Sequence, residues 1–540
     1  MSRSRKAVIF SVIGLIVLPL MVGGFVAQER GALVGSRLFE QVFAIISDRY
    51  VDSVDAGALY EKAARGLITE LKDPYADLYT PKQLEAFNTT TGGFYGGVGM
   101  SIEDQQGLIT VVKVFPRTPA AEAGIFVGDK IVAVDSSNAR GWKTEQVSAR
   151  LKGVPGTKVK ATFLRPGAPD PFTVNFTRRV VRIPAVAYAI MLENKTAYIP
   201  VQGFNETAAE EVAMNLQRLV SEGAKNVVLD FRGNPGGFLE QALSMTNLFI
   251  GKGKSIVTVR GRGDPAETHL TQAEALAPTI PLVILTDGQT ASASEIVAGA
   301  LQDHDRALIL GTTSFGKGLV QGMYRLDGGY AIKLTTAKWY TPSGRSIQKE
   351  RKLSDEGQLV EIRPDSLETD SARLARPKYK SDGGRTVYGG GAVTPDVFVP
   401  YDTLTTADQK LVRALNTKPA ESGLAIDAFA LEMKTKVKPD FAMTASMRDE
   451  FHQRLAQRGI TVDRSVFDAG ARYIDRVLEN RIATFAFGDS VAKRREYAAK
   501  EDVQLVRAIE LLKKGATQKE LLALASATVA PTPARKPQHH

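Results

Sequence analysis

Between residues 181 and 402, short apolar runs alternate with amphipathic segments, and no other feature restricts the fold of this chain so strongly. The runs Thr196–Val201, Asn226–Asp230, Leu282–Thr286, Ala307–Leu310 and Ala331–Tyr340 are rich in β-branched and aliphatic residues and short enough to be strands. Segments near Glu206–Ser221 and Leu239–Phe249 carry apolar residues at helical spacing. Strands and helices in that alternation give an α/β core.

Within this core, Thr286–Gln321 is where chemistry concentrates. Pro281-Leu-Val-Ile-Leu285 reads as a buried strand broken by Asp287-Gly288, and Ser292 to about Gln302 as a helix. A serine between a strand end and a helix start is held by two rigid elements, beside first-turn N–H groups that have no partner inside the helix. Ser292-x-x-Glu295 equally fits a capping box, and on that fragment alone Ser292 is simply a cap. A candidate base follows. Lys317 lies between Gly316 and Gly318, ahead of the strand-like Leu319–Tyr324, and in an extended chain Lys317, Leu319 and Gln321 point the same way. Lysine serves as a base only where desolvation lowers its pKa; taken alone, Lys317 is a solvated turn residue.

Two rival readings fit less well. Gly311–Lys317 matches the first seven positions of a phosphate-binding loop, but Gly318 replaces the required hydroxyl and a strand pattern follows where a helix is needed. A Ser-His-Asp triad would draw on His269, His304, His452, His539 or His540. His304 falls on the Ser292 helix or at its end, far from the hydroxyl; His269 lies in a polar segment, and His539 and His540 belong to the tail.

The flanks suggest several domains. The 540 residues are 44% hydrophobic and carry a net charge of +10 spread along the chain, with no aromatic-basic stripe, so no nucleic-acid partner is expected. There is no cysteine, which excludes disulfides, thiol catalysis and thiolate metal sites. Residues 1–27 read as a cytoplasmic tip and transmembrane anchor: Arg3, Arg5 and Lys6 precede Ala7–Ala27, about a bilayer's thickness of helix whose one strongly polar member is Ser11. A cleaved signal peptide is the alternative, disfavoured because the apolar run is long and Phe25 is not a small residue. Residues 28–92 form a helical module, with amphipathic segments from Leu33 to Ile46 and at Leu59–Leu71. Residues 93–180 are β-rich, with runs at Leu108–Val114, Lys130–Val134 and Lys158–Leu164. Residues 181–402 are the α/β core, interrupted by a polar insertion at Glu350–Gly384. Residues 403–526 form an all-α extension, with helical spacing at Leu411–Leu415, Ala428–Met433, Phe467–Ala483 and Val503–Leu524. Residues 527–540 are a disordered tail.

Thr290-Ala-Ser-Ala-Ser-Glu-Ile296, Gly299-Ala-Leu-Gln-Asp-His304, Ser314-Phe-Gly-Lys-Gly318 and Lys333–Gln348 resemble the carboxyl-terminal processing (tail-specific) serine proteases. Tyr50-Val-Asp52 and Gly66–Tyr75 are similar to that family's N-terminal region. The resemblance implies that Ser292 is the nucleophile, Lys317 the base and Gln321 its assistant. It makes Leu229–Gly237 the glycine turn of the oxyanion hole, formed by the N–H of Gly236 or Gly237 together with that of Ala293. Pro116–Ile125 and Val127–Val134 resemble a PDZ domain. That implies a loop, Gly97-Val98-Gly99-Met100, taking a terminal carboxylate, with Ile102 starting the strand that receives the peptide; the glycine spacing alone would equally permit an ordinary hairpin.

The expectation is therefore a multidomain α/β (α+β) protein: a membrane-anchored serine endopeptidase, single-pass in the inner membrane with its catalytic part periplasmic. It would cut proteins near or from exposed C-termini without metal or cofactor. A homodimer or a regulatory partner stays open. A non-catalytic, membrane-tethered PDZ adaptor is the alternative, against which the intact Ser/Lys/Gln set argues.

Overall fold

The computed structural model describes residues 34–105, 107–165, 168–353, 359–361, 376–402 and 404–528. The segment read as an anchor and almost all of the terminal tail lie outside them. Among the described residues, no helix is long and apolar enough to cross a membrane. The chain divides into two compact units, Met1–Leu78 and Tyr79–His540.

The first unit contains helices at 34–49 and Ala56–Glu70, the latter started by Asp55, whose carboxylate accepts the Ala58 N–H at 2.7 Å. Phe43 stacks on Tyr60 with centroids 3.8 Å apart. Leu38, Phe39, Val42, Ile45, Leu67 and Leu71 all stay exposed.

In the second unit, Met100–Gln105, Leu108–Val114, Lys130–Val134, Lys158–Leu164 and Phe172–Thr177 form an antiparallel sheet in that spatial order. Ile109, Val111, Ile131, Val134, Phe163 and Phe176 fill its core, with Val147 and Leu151 of helix Thr144–Leu151. Antiparallel pairing of Phe94–Gly97 with Arg179–Arg182 ties the start of this module to its end.

The α/β core is a six-stranded sheet ordered Ile190–Leu192, Thr196–Pro200, Asn226–Asp230, Leu282–Thr286, Leu308–Gly311, Val397–Phe398. Only the first pairing is antiparallel. Ala331–Tyr340, read from sequence alongside these strands, belongs instead to a separate antiparallel sheet, paired with Leu319–Arg325 and Ser255–Gly261. Every residue of Asn226–Asp230 and Leu282–Thr286 is buried, so both faces of the main sheet need a cover. On one face Val227, Leu229, Leu282 and Ile284 pack against helices Ala208–Ser221, Leu239–Asn247 and Ala293–Asp303. On the other, Val228, Val283, Leu285, Leu308 and Leu310 pack against Leu505, Ile509, Leu512 and Leu522. These come from the last two helices, Val503–Lys514 and Gln518–Thr528. The end of the C-terminal extension is thus a layer of the α/β core. The rest of it, between Thr406 and Phe487, has a core of its own around Leu411, Phe429, Phe451, Phe467 and Leu478.

Two stretches read as single helices are each divided: Phe467–Ala483 at Gly470 and Val503–Leu524 at Gly515. Helices Ala445–Gln457 and Asp489–Ala498 were not legible. They are largely polar and bury only Phe451 and Leu455, and only Ala492, respectively.

Candidate active site

Ser292 stands at the turn from strand Leu282–Thr286 into helix Ala293–Asp303, with φ 55° and ψ −114°. A positive φ outside glycine costs on the order of 1–3 kcal/mol and persists only where the surroundings over-determine it. Thr290 is fully buried; its hydroxyl donates to the Phe231 carbonyl (2.8 Å) and its N–H to Asp287 Oδ1 (2.9 Å). Ala291 N–H donates to the Asn234 carbonyl (2.9 Å), and Phe315 N–H to the Thr290 carbonyl (2.9 Å). The serine is thereby fixed from three separate segments of chain.

The organising group is the Glu295 carboxylate, which is fully buried. Its Oε2 accepts the backbone N–H of Ser292 (2.8 Å) and that of Lys317 (2.9 Å). Its Oε1 accepts the Ser314 hydroxyl (2.5 Å) and the Gly316 N–H (2.6 Å). One oxygen therefore ties the candidate nucleophile to the candidate base. Burial pushes this carboxyl above its ordinary range, while the four hydrogen bonds pull the other way. The Ser292 hydroxyl makes no capping hydrogen bond; Glu295 N–H donates to the Ser292 carbonyl instead (2.9 Å). The capping reading of Ser292 thus holds for its backbone and leaves the hydroxyl for other work. The same bonds dispose of the phosphate loop, since the Gly316 and Lys317 N–H groups already serve Glu295 and a strand follows, Leu319–Arg325.

Lys317 is half-buried, and its Nζ donates to Gln321 Oε1 at 2.8 Å, so the side chains expected to share a direction do meet. Trp339 Nε1 donates to the Lys317 carbonyl (3.2 Å), and Gly318 N–H to Gln348 Oε1 (2.8 Å). The insertion expected to be a polar surface loop begins as a hairpin, Arg351–Leu353 with Leu359–Glu361, that buttresses this loop. Arg351 lies 3.7 Å over the Phe315 ring, donates to the Gly316 carbonyl (3.0 Å) and pairs with Glu361 (2.7 Å).

Gly236 has φ 92°, and a Cβ there would come within 2.6 Å of the Ala291 carbonyl oxygen, 2.8 Å of Ala293 N and 2.9 Å of Ser292 Cβ. Only glycine lets this turn lie against the serine. The Gly236 N–H already donates to Asn234 Oδ1 (2.9 Å), and Asn234 Nδ2 donates to the Val201 carbonyl (2.7 Å). Among the described residues, no hydrogen bond engages the N–H of Gly237 or of Ala293. Of the two glycines considered, Gly237 is the one with a donor to spare. His304 caps the opposite end of the helix, bonded to Asp382 (2.8 Å) and the Ser255 carbonyl (2.7 Å). That is about 18 Å from Ser292 at 1.5 Å per residue. Among the described residues, no cluster of His, Cys, Asp or Glu could hold a metal ion.

In the antiparallel module, the Gly97–Met100 loop has its Val98 carbonyl bonded by Ala120 N–H (2.8 Å) and its Gly99 carbonyl by Phe115 N–H (3.0 Å). Val98 and Met100 are buried. The strand begins at Met100, two residues before Ile102, because Met100 already pairs with Val114. It lies at the edge of its sheet, bonded on one side only.

Sequence reasoning passed over Asn234 and saw Glu295 only as a capping residue. It had no signal at all for Arg232. Arg232 is pinned by Asp230 Oδ1 (2.9 Å) and by Asp502 Oδ1 and Oδ2 (2.9 and 2.7 Å), a partner 270 positions away.

The peptidase family S41 model matches residues 195–365, the PDZ domain model residues 110–165, and the activating protease CtpB N-terminal domain model residues 27–82. The carboxy-terminal processing protease CtpA of Bacillus subtilis is 35% identical over 324 residues, 59% of this chain and 69% of that protein. The carboxy-terminal-processing protease of Bartonella bacilliformis is 36% identical over 318 residues, 57% and 72% of the two chains. The solved photosystem II D1 C-terminal processing protease is 27% identical, with 61% of this chain and 91% of that one covered and a TM-score of 0.32.

Proposed function

This chain belongs to the carboxy-terminal processing proteases, serine-type peptidases of family S41, here with a PDZ domain, and from that premise we propose that it cuts polypeptides through a Ser292/Lys317 dyad. Neutral Lys317 Nζ takes the Ser292 proton as the hydroxyl attacks the peptide carbonyl, and gives it to the departing amine as the acyl-enzyme forms. It then deprotonates the water that releases the acid. Gln321 orients the amine, and the N–H groups of Gly237 and Ala293 receive the oxyanion. The observation that carries this reading is the single Glu295 oxygen bonded to the backbone of both Ser292 and Lys317.

Substrate enters by its C-terminus. The terminal carboxylate meets the Gly97–Met100 loop, and the peptide adds a strand to the open edge of Met100–Gln105. In this reading residues 93–180 are the PDZ domain and 181–402, with the helices of 503–528, the protease. Residues 1–27 anchor the enzyme in the inner membrane with its catalytic part outside the cytoplasm. The exposed apolar faces of the two N-terminal helices suit a second copy or a regulatory partner.

The test is cleavage of an unstructured reporter with an apolar C-terminus, free or amidated, by residues 28–540. Wild type should cut the free form preferentially, and Ser292→Ala and Lys317→Ala should both be inactive. Equal cutting by either variant would refute the dyad.

A further inference from the structure

The loop that carries the oxyanion turn, Asp230 to Gly237, is held at its start by a residue of the C-terminal extension. Arg232 is largely buried between two carboxylates, Asp230 at the end of strand Asn226–Asp230 and Asp502 at the start of helix Val503–Lys514. Asp502 is itself buried and is also bonded by Lys493 Nζ (2.5 Å). Gln504, on the first turn of the same helix, accepts from Arg232 Nη1 (3.0 Å) and donates to the Val399 carbonyl (2.8 Å). Two residues beyond Val399, the Tyr401 hydroxyl donates to Asp287 Oδ2 (2.6 Å), and Asp287 accepts the Gly233 N–H (3.0 Å) and fixes the turn before Ser292. The loop then runs through Asn234 to Gly236, packed against Ser292.

We infer that Asp502 is a positioning residue for catalysis, holding Arg232 and through it the oxyanion turn. The extension thereby sets the geometry in which Gly237 N–H meets the developing oxyanion. This rests on the Ser292 reading above. A carboxylate in this place does more than stabilise a docked helix. Removing its charge leaves one oxygen instead of two to accept from Arg232 and sets an amide donor against the other guanidinium N–H, which lets the loop shift where a displacement of about 1 Å costs on the order of 100-fold in rate.

The test uses residues 28–540, measuring kcat and KM on the unstructured reporter and inhibition by a peptide aldehyde, whose tetrahedral adduct needs the oxyanion donors. Asp502→Asn should lower kcat about 10- to 100-fold with KM within about twofold. Aldehyde binding should weaken by a similar factor, and Asp502→Glu should recover part of both. Leu512→Ala, which loosens the same helix without touching Arg232, should keep wild-type kcat below its unfolding temperature. Wild-type kcat in folded Asp502→Asn would overturn the inference. So would an effect on KM alone, or a kcat loss in Leu512→Ala equal to that in Asp502→Asn. Full activity in Ser292→Ala would instead overturn the reading of the nucleophile, and this inference with it.

Discussion

Truncating Glu295 in two steps separates its roles. The wild-type carboxylate accepts four hydrogen bonds in a fully buried place. In Glu295→Gln one acceptor oxygen remains, and turned to the Oε2 position it still receives the N–H groups of Ser292 and Lys317. The new amide then faces the Ser314 hydroxyl, which can rotate and accept, and the Gly316 N–H, which cannot. The Gly316 N–H is orphaned, at about 1–3 kcal/mol, and the second amide hydrogen facing it has no acceptor either. Glu295→Ala orphans the backbone donors of Ser292, Gly316 and Lys317 together, at roughly 3–9 kcal/mol on the same scale, less whatever water recovers. It also cuts the one link between the dyad's backbones. Glu295→Gln should therefore unfold at a modestly lower temperature and keep kcat within about tenfold. Glu295→Ala, assayed below its own unfolding onset, should lose about 100-fold or more, the scale of a misplacement near 1 Å. The measurements are thermal unfolding by circular dichroism and steady-state cleavage of the reporter. Equal kcat for the two variants, or Glu295→Ala within twofold of wild type, would refute the argument that this carboxylate sets the dyad.

Two further outcomes follow from neighbouring residues. Gly236→Ala places a Cβ at φ 92° within 2.6 Å of a carbonyl oxygen, so it should abolish measurable cleavage while leaving binding of a C-terminal peptide to the isolated-edge strand of the PDZ module unchanged, as fluorescence anisotropy would report. Arg232 and Lys493 hold the Asp502 carboxyl well below its ordinary value of 3.8, against its burial. Because the folded pKa is the lower one, the stabilisation is complete at neutral pH, above the unfolded value. It is lost as pH falls below about 4. Limited proteolysis of the C-terminal helices should accelerate across that range in wild type and much less steeply in Asp502→Asn.

The parts of this molecule that were legible in its sequence are those with local causes. Buried parallel strands announce themselves as unbroken apolar runs, and Asn226–Asp230 and Leu282–Thr286 lie where those runs place them. The meeting of Lys317 with Gln321 follows from alternation along an extended chain. Ala331–Tyr340 shows the limit: a β-branched run states that it is a strand, not which sheet it joins. The choice between Gly236 and Gly237 turned on where one asparagine side chain points, which no spacing records. Arg232 and Asp502 are joined only by the folded chain, and nothing near either residue marks it.

The cover on the second face of the main sheet is supplied by residues 503–528, far downstream of every residue assigned to the dyad. A nascent chain that has passed Gln321 but not yet reached Val503 has no cover for Val228, Val283, Leu285, Leu308 and Leu310, and leaves Arg232 with Asp230 but without Asp502 and Gln504. In that interval the sheet lacks the layer that buries its second face, so the core is complete only once residues 503–528 have been made.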